Sequence, residues 1–202
     1  DKLIIAMPPG LRSNPKRRFD VMMNHVKKAC VKEGIKEVIF ISSTSVYGNL
    51  HGIITEKSNT EPETNSGKQL LQCEKLLSDS IHFNTTILRM GGLIGADRHP
   101  VFQLSKKEFV TNPKGSINLI HLTDCINIIG SLINQIIVKN VYNCVTPYHP
   151  NRVKYYTQMA IQMGCNPPKF RDSITFDRKI SSKKLQEKFN YAFRVINLLI
   201  SS

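Results

Sequence analysis

No apolar run in the sequence approaches the roughly 18 residues that a membrane span requires, and the N-terminus lacks a charged-then-apolar leader pattern. Both absences lead to the expectation of a cytoplasmic protein. There is no C-x-x-C pair: the five cysteines, Cys30, Cys73, Cys125, Cys144 and Cys165, are odd in number and scattered. That spacing points away from a disulfide framework and from a zinc site, and toward small buried hydrophobes in a reducing compartment. Acidic residues are scarce, 15 against 28 Lys and Arg, for a formal charge of +13. Such a balance favours phosphates, nucleic acid or an acidic partner. The bases, however, fall as Lys16-Arg17-Arg18 beside Pro15 and as isolated doublets, Lys27-Lys28, Lys106-Lys107 and Lys183-Lys184, without interleaved aromatics. Solvated helix faces have this pattern, and no nucleic-acid-reading motif accompanies it, so a basic nucleic-acid-binding module stays a minor alternative. Internal repeats and low-complexity linkers are also missing.

What is present is an alternation of strand and helix signals. Leu3 to Met7 is a short apolar run stopped by Pro8-Pro9-Gly10, as in a buried parallel strand. From Phe19, the residues Met22, Met23, Val26, Ala29 and Cys30 recur at helical spacing, with Gly34 where a C-cap glycine belongs. Glu37 to Ser42 is the next strand, and a polar loop follows to about Thr64. Ser66 and Gln69 have capping-box spacing ahead of Leu70, Cys73, Leu76 and Leu77. Thr85 to Arg89 is a third strand, stopped by Gly91-Gly92. Beyond it come a segment from Ser116 to Ile120, a helix opening near Thr123-Asp124, a strand from Val141 to Val145, a helix capped by Asn151, and a last helix at Ser182. The pattern predicts an α/β fold with a parallel sheet, whose ligands sit beyond the strand carboxyl ends. Those ends are Met7-Pro8, Ser42-Ser43 and Arg89 to Gly92.

These strand ends resemble the extended short-chain dehydrogenase/reductase superfamily, the NAD-dependent sugar-nucleotide epimerases and dehydratases. The segment Ile41-Ser42-Ser43-Thr44-Ser45-Val46-Tyr47-Gly48 is similar to the family's strand end, where a hydroxyl residue four places before the Tyr assists catalysis; that position is Ser43. Glu61-Pro62 and Glu74 fall at the family's Glu-x-x-Pro loop and following helix acid. Ile87 to Gly95 resembles the strand and loop over the nicotinamide, Ile120-His121-Leu122-Thr123-Asp124 its Ile-His-x-x-Asp segment, and Val141-Tyr142-Asn143 its Tyr-Asn strand. The resemblance implies the C-terminal part of a Rossmann-like doubly wound parallel sheet with a small C-terminal α/β substrate-side lobe. Its expected division is 1–90, the remaining half of an NAD(P)-binding domain with a strand contributed by about 116–120, and 91–202, the substrate side.

By the same resemblance, NAD or NADP would lie against Ala6, Met7, Pro8, Ser42, Gly91, Gly92 and Leu93, and a small-molecule substrate, such as a nucleotide sugar, would meet Ser43, Thr44, Arg89 and Arg98. Arg89 has a structural alternative, pairing with Asp97, and Gly92 replaces an asparagine that meets the diphosphate in many sugar-nucleotide enzymes. The helices around Met22 and Leu70 would form a homodimer contact. No metal site is expected, since His121 and Asp124 have no third ligand at suitable spacing.

Two departures qualify the reading. The glycine loop that grips the pyrophosphate should precede Leu3, and nothing in the chain takes its place; a βαβαβ half of roughly 60–80 residues is expected to be absent, leaving a truncated product with a bare edge at the Leu3 strand and weak dinucleotide binding. Second, the family's Tyr-x-x-x-Lys pair is replaced by Ser66 and Leu70, which cannot supply an acidified phenol or a cation. A catalytically atypical protein, or a non-enzymatic sensor or scaffold of the same fold, is the expectation.

Overall fold

The computed structural model describes residues 1–11, 13–95, 98–173, 177–196 and 198–199. In chain order the elements are β1 (Lys2–Ile5), α1 (Phe19–Lys32), β2 (Glu37–Ser43), a 3-10 turn (Thr44–Tyr47), β3 (Gly52–Ile54), α2 (Asn65–Ser78), β4 (Asn84–Met90), β5 (Gly92–Ile94), α3 (Val101–Leu104), β6 (Leu119–His121), α4 (Leu122–Ile133), β7 (Asn140–Cys144), α5 (Arg152–Gln162), β8 (Arg178–Ile180) and α6 (Lys183–Phe189). The main sheet has the order β1-β2-β4-β7, and all its pairings are parallel. Parallel neighbours need crossovers, and α1 and α2 supply them.

Alternation along the strands divides the core. Val38, Phe40 and Ile87 face α1 and α2, packing on Phe19, Met23, Cys73 and Leu77. Ile39 and Leu88 face the other way, onto Cys125, Ile128 and Leu132 of α4 and onto Leu185 and Phe193. The sheet is therefore covered on both faces, which is why its central strands read as continuous apolar runs. A third cluster joins Ile94, Val101, Leu119, Tyr155, Tyr156 and Leu198 in the lobe built by the β5–β6 pair and α5.

Several local expectations are corrected. The segment near 116–120 gives β6, which pairs with β5 in its own two-stranded sheet, whereas the fourth strand of the main sheet is β7. The supposed loop before Thr64 contains β3, paired in parallel with β8 across more than a hundred residues. Three residues carry too little periodicity to announce a strand. Helix α2 is capped by Thr64, whose hydroxyl accepts from the Gly67 N–H at 3.0 Å, and not by Ser66. Gln69 does not complete a capping box; its amide accepts from Phe19 N–H at 2.8 Å and donates to the Arg17 carbonyl, tying α2 to the start of α1. Ser182 does precede α6, but its hydroxyl serves β7 instead.

The two sheet edges differ. Along β7 the outer polar groups are occupied: Asn143 N–H donates to Glu56 Oε1 at 2.8 Å, Val145 N–H to Ser182 Oγ at 2.8 Å, and Lys184 Nζ donates to the Val141 carbonyl at 2.8 Å. Among the described residues strand β1 pairs with β2 alone, and Ile4 on it is 38% exposed.

Candidate functional site

Strand β2 ends in two serines that point to opposite faces. Ser42 turns inward, donating to Glu74 Oε1 at 2.5 Å, and is buried. Ser43 turns outward; its Oγ accepts from Ser45 N–H at 3.1 Å and caps the 3-10 turn. One register step away, β4 leaves the sheet through Gly91 and Gly92. A Cβ at Gly91 would lie 2.9 Å from the Asn118 carbonyl oxygen and 3.2 Å from Val145 Cγ2, so only glycine lets β4 pass beneath the β6 segment.

Between these strand ends and the lobe opens a cavity of about 510 Å³. Ser43, Thr44, Ser45, Gly91 and Gly92 form its sheet side, and Thr111, Asn112, Ser116, Asn118, Arg152, Tyr156 and Arg178 belong to its lobe side. Ligand cavities of α/β sheets lie at strand carboxyl ends, and this one does. Among the described residues its ionisable lining residues are Arg152, Tyr156 and Arg178. Among the described residues neither arginine has a carboxylate within ion-pair distance. The buried Arg152 Nε lacks a hydrogen-bond partner there, and its guanidinium stands 5.9 Å from the Tyr156 ring centre. Arg178 donates to the Gly48 carbonyl. Burial, followed by repulsion from Arg152, pushes the Arg178 guanidinium below its ordinary pKa. Tyr156 is pushed up by burial, with Arg152 opposing the shift. A bound anion would relieve the unmatched positive charge, whereas a neutral ligand would not.

The expected site residues divide accordingly. Ser43, Thr44, Gly91 and Gly92 line the cavity, while Leu93 does not. Ala6, Met7 and Pro8 are exposed beyond the end of β1 and stand apart from the cavity. Arg98 is exposed and lies in a backbone bridge with Gly95; Asp97 lies outside the described residues. Ser66 does not reach the cavity, and Leu70 is core. Arg89 is committed elsewhere: it is buried, forks onto Glu74 with Nη2 at 2.6 Å from Oε2, and donates through Nη1 to Tyr47 Oη at 2.9 Å. Tyr47 in turn donates to Asn143 Oδ1 at 2.8 Å. The Val-Tyr-Gly, helix-acid, strand-arginine and Tyr-Asn motifs thus meet in one interior network that braces the strand ends. Asp124 likewise braces the C-terminal segment, accepting from Tyr191 Oη at 2.7 Å and from the N–H groups of Arg194 and Val195. No group of three potential metal ligands occurs among the described residues, and no helix among them is long and apolar enough to cross a membrane.

Arg152, Arg178, Asn118 and Tyr156 escaped the sequence reading. Arg152 directly follows the Asn151 cap, which was visible, but nothing in the order of residues says that a first-turn side chain faces β2 across the molecule.

Solved structures share this architecture. The chain superposes on MoeE5 in complex with UDP-glucose and NAD with a TM-score of 0.79, at 18% identity, over 98% of this chain and 75% of that one. For dTDP-glucose 4,6-dehydratase from Bacillus anthracis str. Ames in complex with NAD the values are 0.78, 14%, 96% and 68%. A functionally unknown conserved protein from Silicibacter pomeroyi DSS gives 0.77, 16%, 97% and 73%. The fold is therefore the Rossmann-like parallel α/β fold of NAD-bound nucleotide-sugar dehydratases and epimerases. No family model matches the chain. In sequence it is 37% identical over 177 residues to Protein YeeZ of Escherichia coli strain K12, and equally to that of strain O157:H7, covering 86% of this chain. It spans 63% of the length of these curated relatives.

Proposed function

We propose that the chain is the substrate-facing portion of an NAD(P)-dependent protein of the nucleotide-sugar epimerase/dehydratase type, and that the cavity takes the anionic part of its substrate. The observation that carries this reading is the pair of guanidiniums, Arg152 and Arg178, set into a cavity at the carboxyl ends of β2 and β4 with no carboxylate of the described residues within ion-pair distance. In this reading the arginines hold a diphosphate or comparable anion. Ser43 offers its hydroxyl to a substrate hydroxyl or carbonyl oxygen, and the backbone of Gly91 and Gly92 borders the cavity where a nicotinamide ring would lie. NAD(P), when bound, would supply or accept hydride. The chain's residues fit only that end of the dinucleotide: without a glycine loop at a helix N-terminus the pyrophosphate has no cradle here, and binding of NAD(P) by this chain is weak.

Calorimetric titration of UDP, UDP-glucose, NAD and NADP tests the reading. UDP and UDP-glucose should bind with matching affinities, and Arg178→Ala should weaken both. Tight NAD binding by this chain, or no heat with either uridine nucleotide, would overturn it.

A second reading, a non-catalytic sensor or scaffold, is favoured by Ser66 and Leu70 at the positions of the proton-transfer pair. Neither side chain acidifies a phenol or carries charge. Turnover of NAD during incubation with UDP-glucose would remove that reading.

A further inference from the structure

A second cavity, of about 340 Å³, opens beside the amino end of β7 and shares no lining residue with the first. It brings together Lys57 from the loop after β3, Lys139 from the loop before β7 and Lys184 from the first turn of α6, with Ser78 at the end of α2 and Glu56. In a chain of formal charge +13 lysines also meet by chance, but chance neighbours swing freely in water, and two of these are held. Lys139 Nζ donates to the Ser80 carbonyl at 2.6 Å. Lys184 Nζ donates to Asn140 Oδ1 at 2.6 Å and to the Val141 carbonyl at 2.8 Å, and stands 5.0 Å from the Tyr142 ring centre. An ammonium has three donors, so among the described residues both side chains keep N–H groups for a ligand.

The negative groups nearby are engaged elsewhere. Glu56 Oε1 accepts from Asn143 N–H at 2.8 Å, and among the described residues none of the three lysines has a carboxylate within ion-pair distance. The carbonyls at the end of α2, which would repel an anion, are occupied too. Leu77 accepts from Ser80 N–H at 3.2 Å and from Thr85 Oγ1 at 3.1 Å, and Ser80 accepts from Lys139. Burial lowers the Lys184 pKa; Glu56 opposes that shift, and repulsion from Lys57 and Arg89 adds to it. Positive charge is thus in excess in a half-enclosed pocket, and a bound anion would offset it.

We propose that this cavity binds the phosphate group of a small phosphate ester, with Lys139 and Lys184 as fixed ammonium donors, Lys57 as a third cation and the Ser78 hydroxyl as a further donor. Lysine is a compact point charge with divergent donors, which suits the tetrahedral oxygens of a phosphate; a planar carboxylate is better met by the fork of an arginine. The three lysines converge on one cavity instead of following a line, which fits a single phosphate group and not a nucleic-acid backbone. The inference stands apart from the reading in which Arg152 and Arg178 hold the substrate anion. It uses no residue of that cavity, and it concerns the amino end of β7 where the other lies at strand carboxyl ends.

The test follows backbone amide resonances of the Arg178→Ala chain at constant ionic strength, so that anion binding in the larger cavity contributes little. Inorganic phosphate and glycerol 3-phosphate, titrated separately, should shift the amides of residues 56, 57, 78, 139–141 and 184 along one saturating curve, the ester binding no more weakly than the free ion. Lys57→Gln with Lys139→Gln should weaken both at least tenfold. Lys27→Gln with Lys28→Gln, on α1, removes as much charge away from the cavity and should leave both unchanged. Lys184 stays in place because its ammonium also seals the edge of β7. Shifts that fail to saturate, that survive the first pair of substitutions, or that appear with free phosphate and not with the ester would each overturn the proposal.

Discussion

Arg89 on β4 and Glu74 on α2 form a forked ion pair, 2.6 Å at its shortest, with side chains only 7% and 4% exposed. Removing one partner strands the other charge in the interior, a loss of about 3–5 kcal/mol, whereas replacing both by apolar groups costs far less. Urea unfolding should therefore show Arg89→Met much less stable than Arg89→Met combined with Glu74→Met. Equal losses in the single and double variants would mean that the pair's geometry, and not the uncompensated charge, sets stability.

Among the described residues, Arg152 and Arg178 face the cavity with no carboxylate within ion-pair distance. If an anion is their ligand, Arg178→Ala should weaken UDP binding by about 1.5–3 kcal/mol, the range for a charge-assisted hydrogen bond, and raised salt should weaken the wild type. Calorimetry at two ionic strengths measures both. An affinity indifferent to salt would remove charge as the basis of recognition.

His99 is buried against Tyr155. Its Nδ1 accepts from Val101 N–H at 3.1 Å, so Nε2 carries the proton and donates to Tyr155 Oη at 2.9 Å. Burial pulls its pKa down to about 4, from 6.5 unfolded. The folded state then binds fewer protons than the unfolded state between those values, so this stabilisation is complete above pH 6.5 and is lost as pH falls toward 4. Allowing for screening, stability should drop by about 1 kcal/mol from pH 7 to pH 5, and His99→Gln should flatten that slope in thermal unfolding.

Gly48 follows the 3-10 turn with φ +59°, and a Cβ there would fall 2.0 Å from the Glu61 carbonyl oxygen. Gly164 shares the positive φ, at +63°, but has open space around it. Gly164→Ala should cost about 1 kcal/mol from backbone strain, and Gly48→Ala clearly more, because a backbone atom must also move. Chemical denaturation of the two variants compares strain alone with strain plus collision.

Thiol labelling offers a fourth check on packing. Cys30, Cys73, Cys125 and Cys144 are buried, and burial pushes the Cys73 and Cys125 thiols up to about 12. In the folded protein at pH 8, Cys165 should react first with a disulfide reagent, and all five should react in guanidinium. Rapid labelling of Cys73 would contradict the packing of α1 on α2.

The sheet was legible because its strands are buried on both faces: runs such as Val38 to Ile41 can hardly be anything else. Helix α1 was legible from Phe19 to Cys30 and from Gly34 beyond it. What stayed hidden depends on distant partners. Gly52 to Ile54 is a strand only because Arg178 to Ile180 comes alongside, and Gln69 spends its amide on Phe19 instead of its own helix. In the cavity, Ser43 and Gly91 could be read from strand ends. The arginines could not, since residues 152 and 178 meet residue 43 only after the lobe has folded back over the sheet. Arg89 shows the converse: a strand-end arginine looks like a ligand group until Glu74 is found beneath it.

The plugging of β7 by Glu56, Ser182 and Lys184 limits how copies of this chain can assemble. A ladder of molecules grows only if every member offers two live borders, one to receive and one to give. Here one border is sealed, so two molecules meeting along β1 would exhaust what each can offer, and the assembly would stop at a pair.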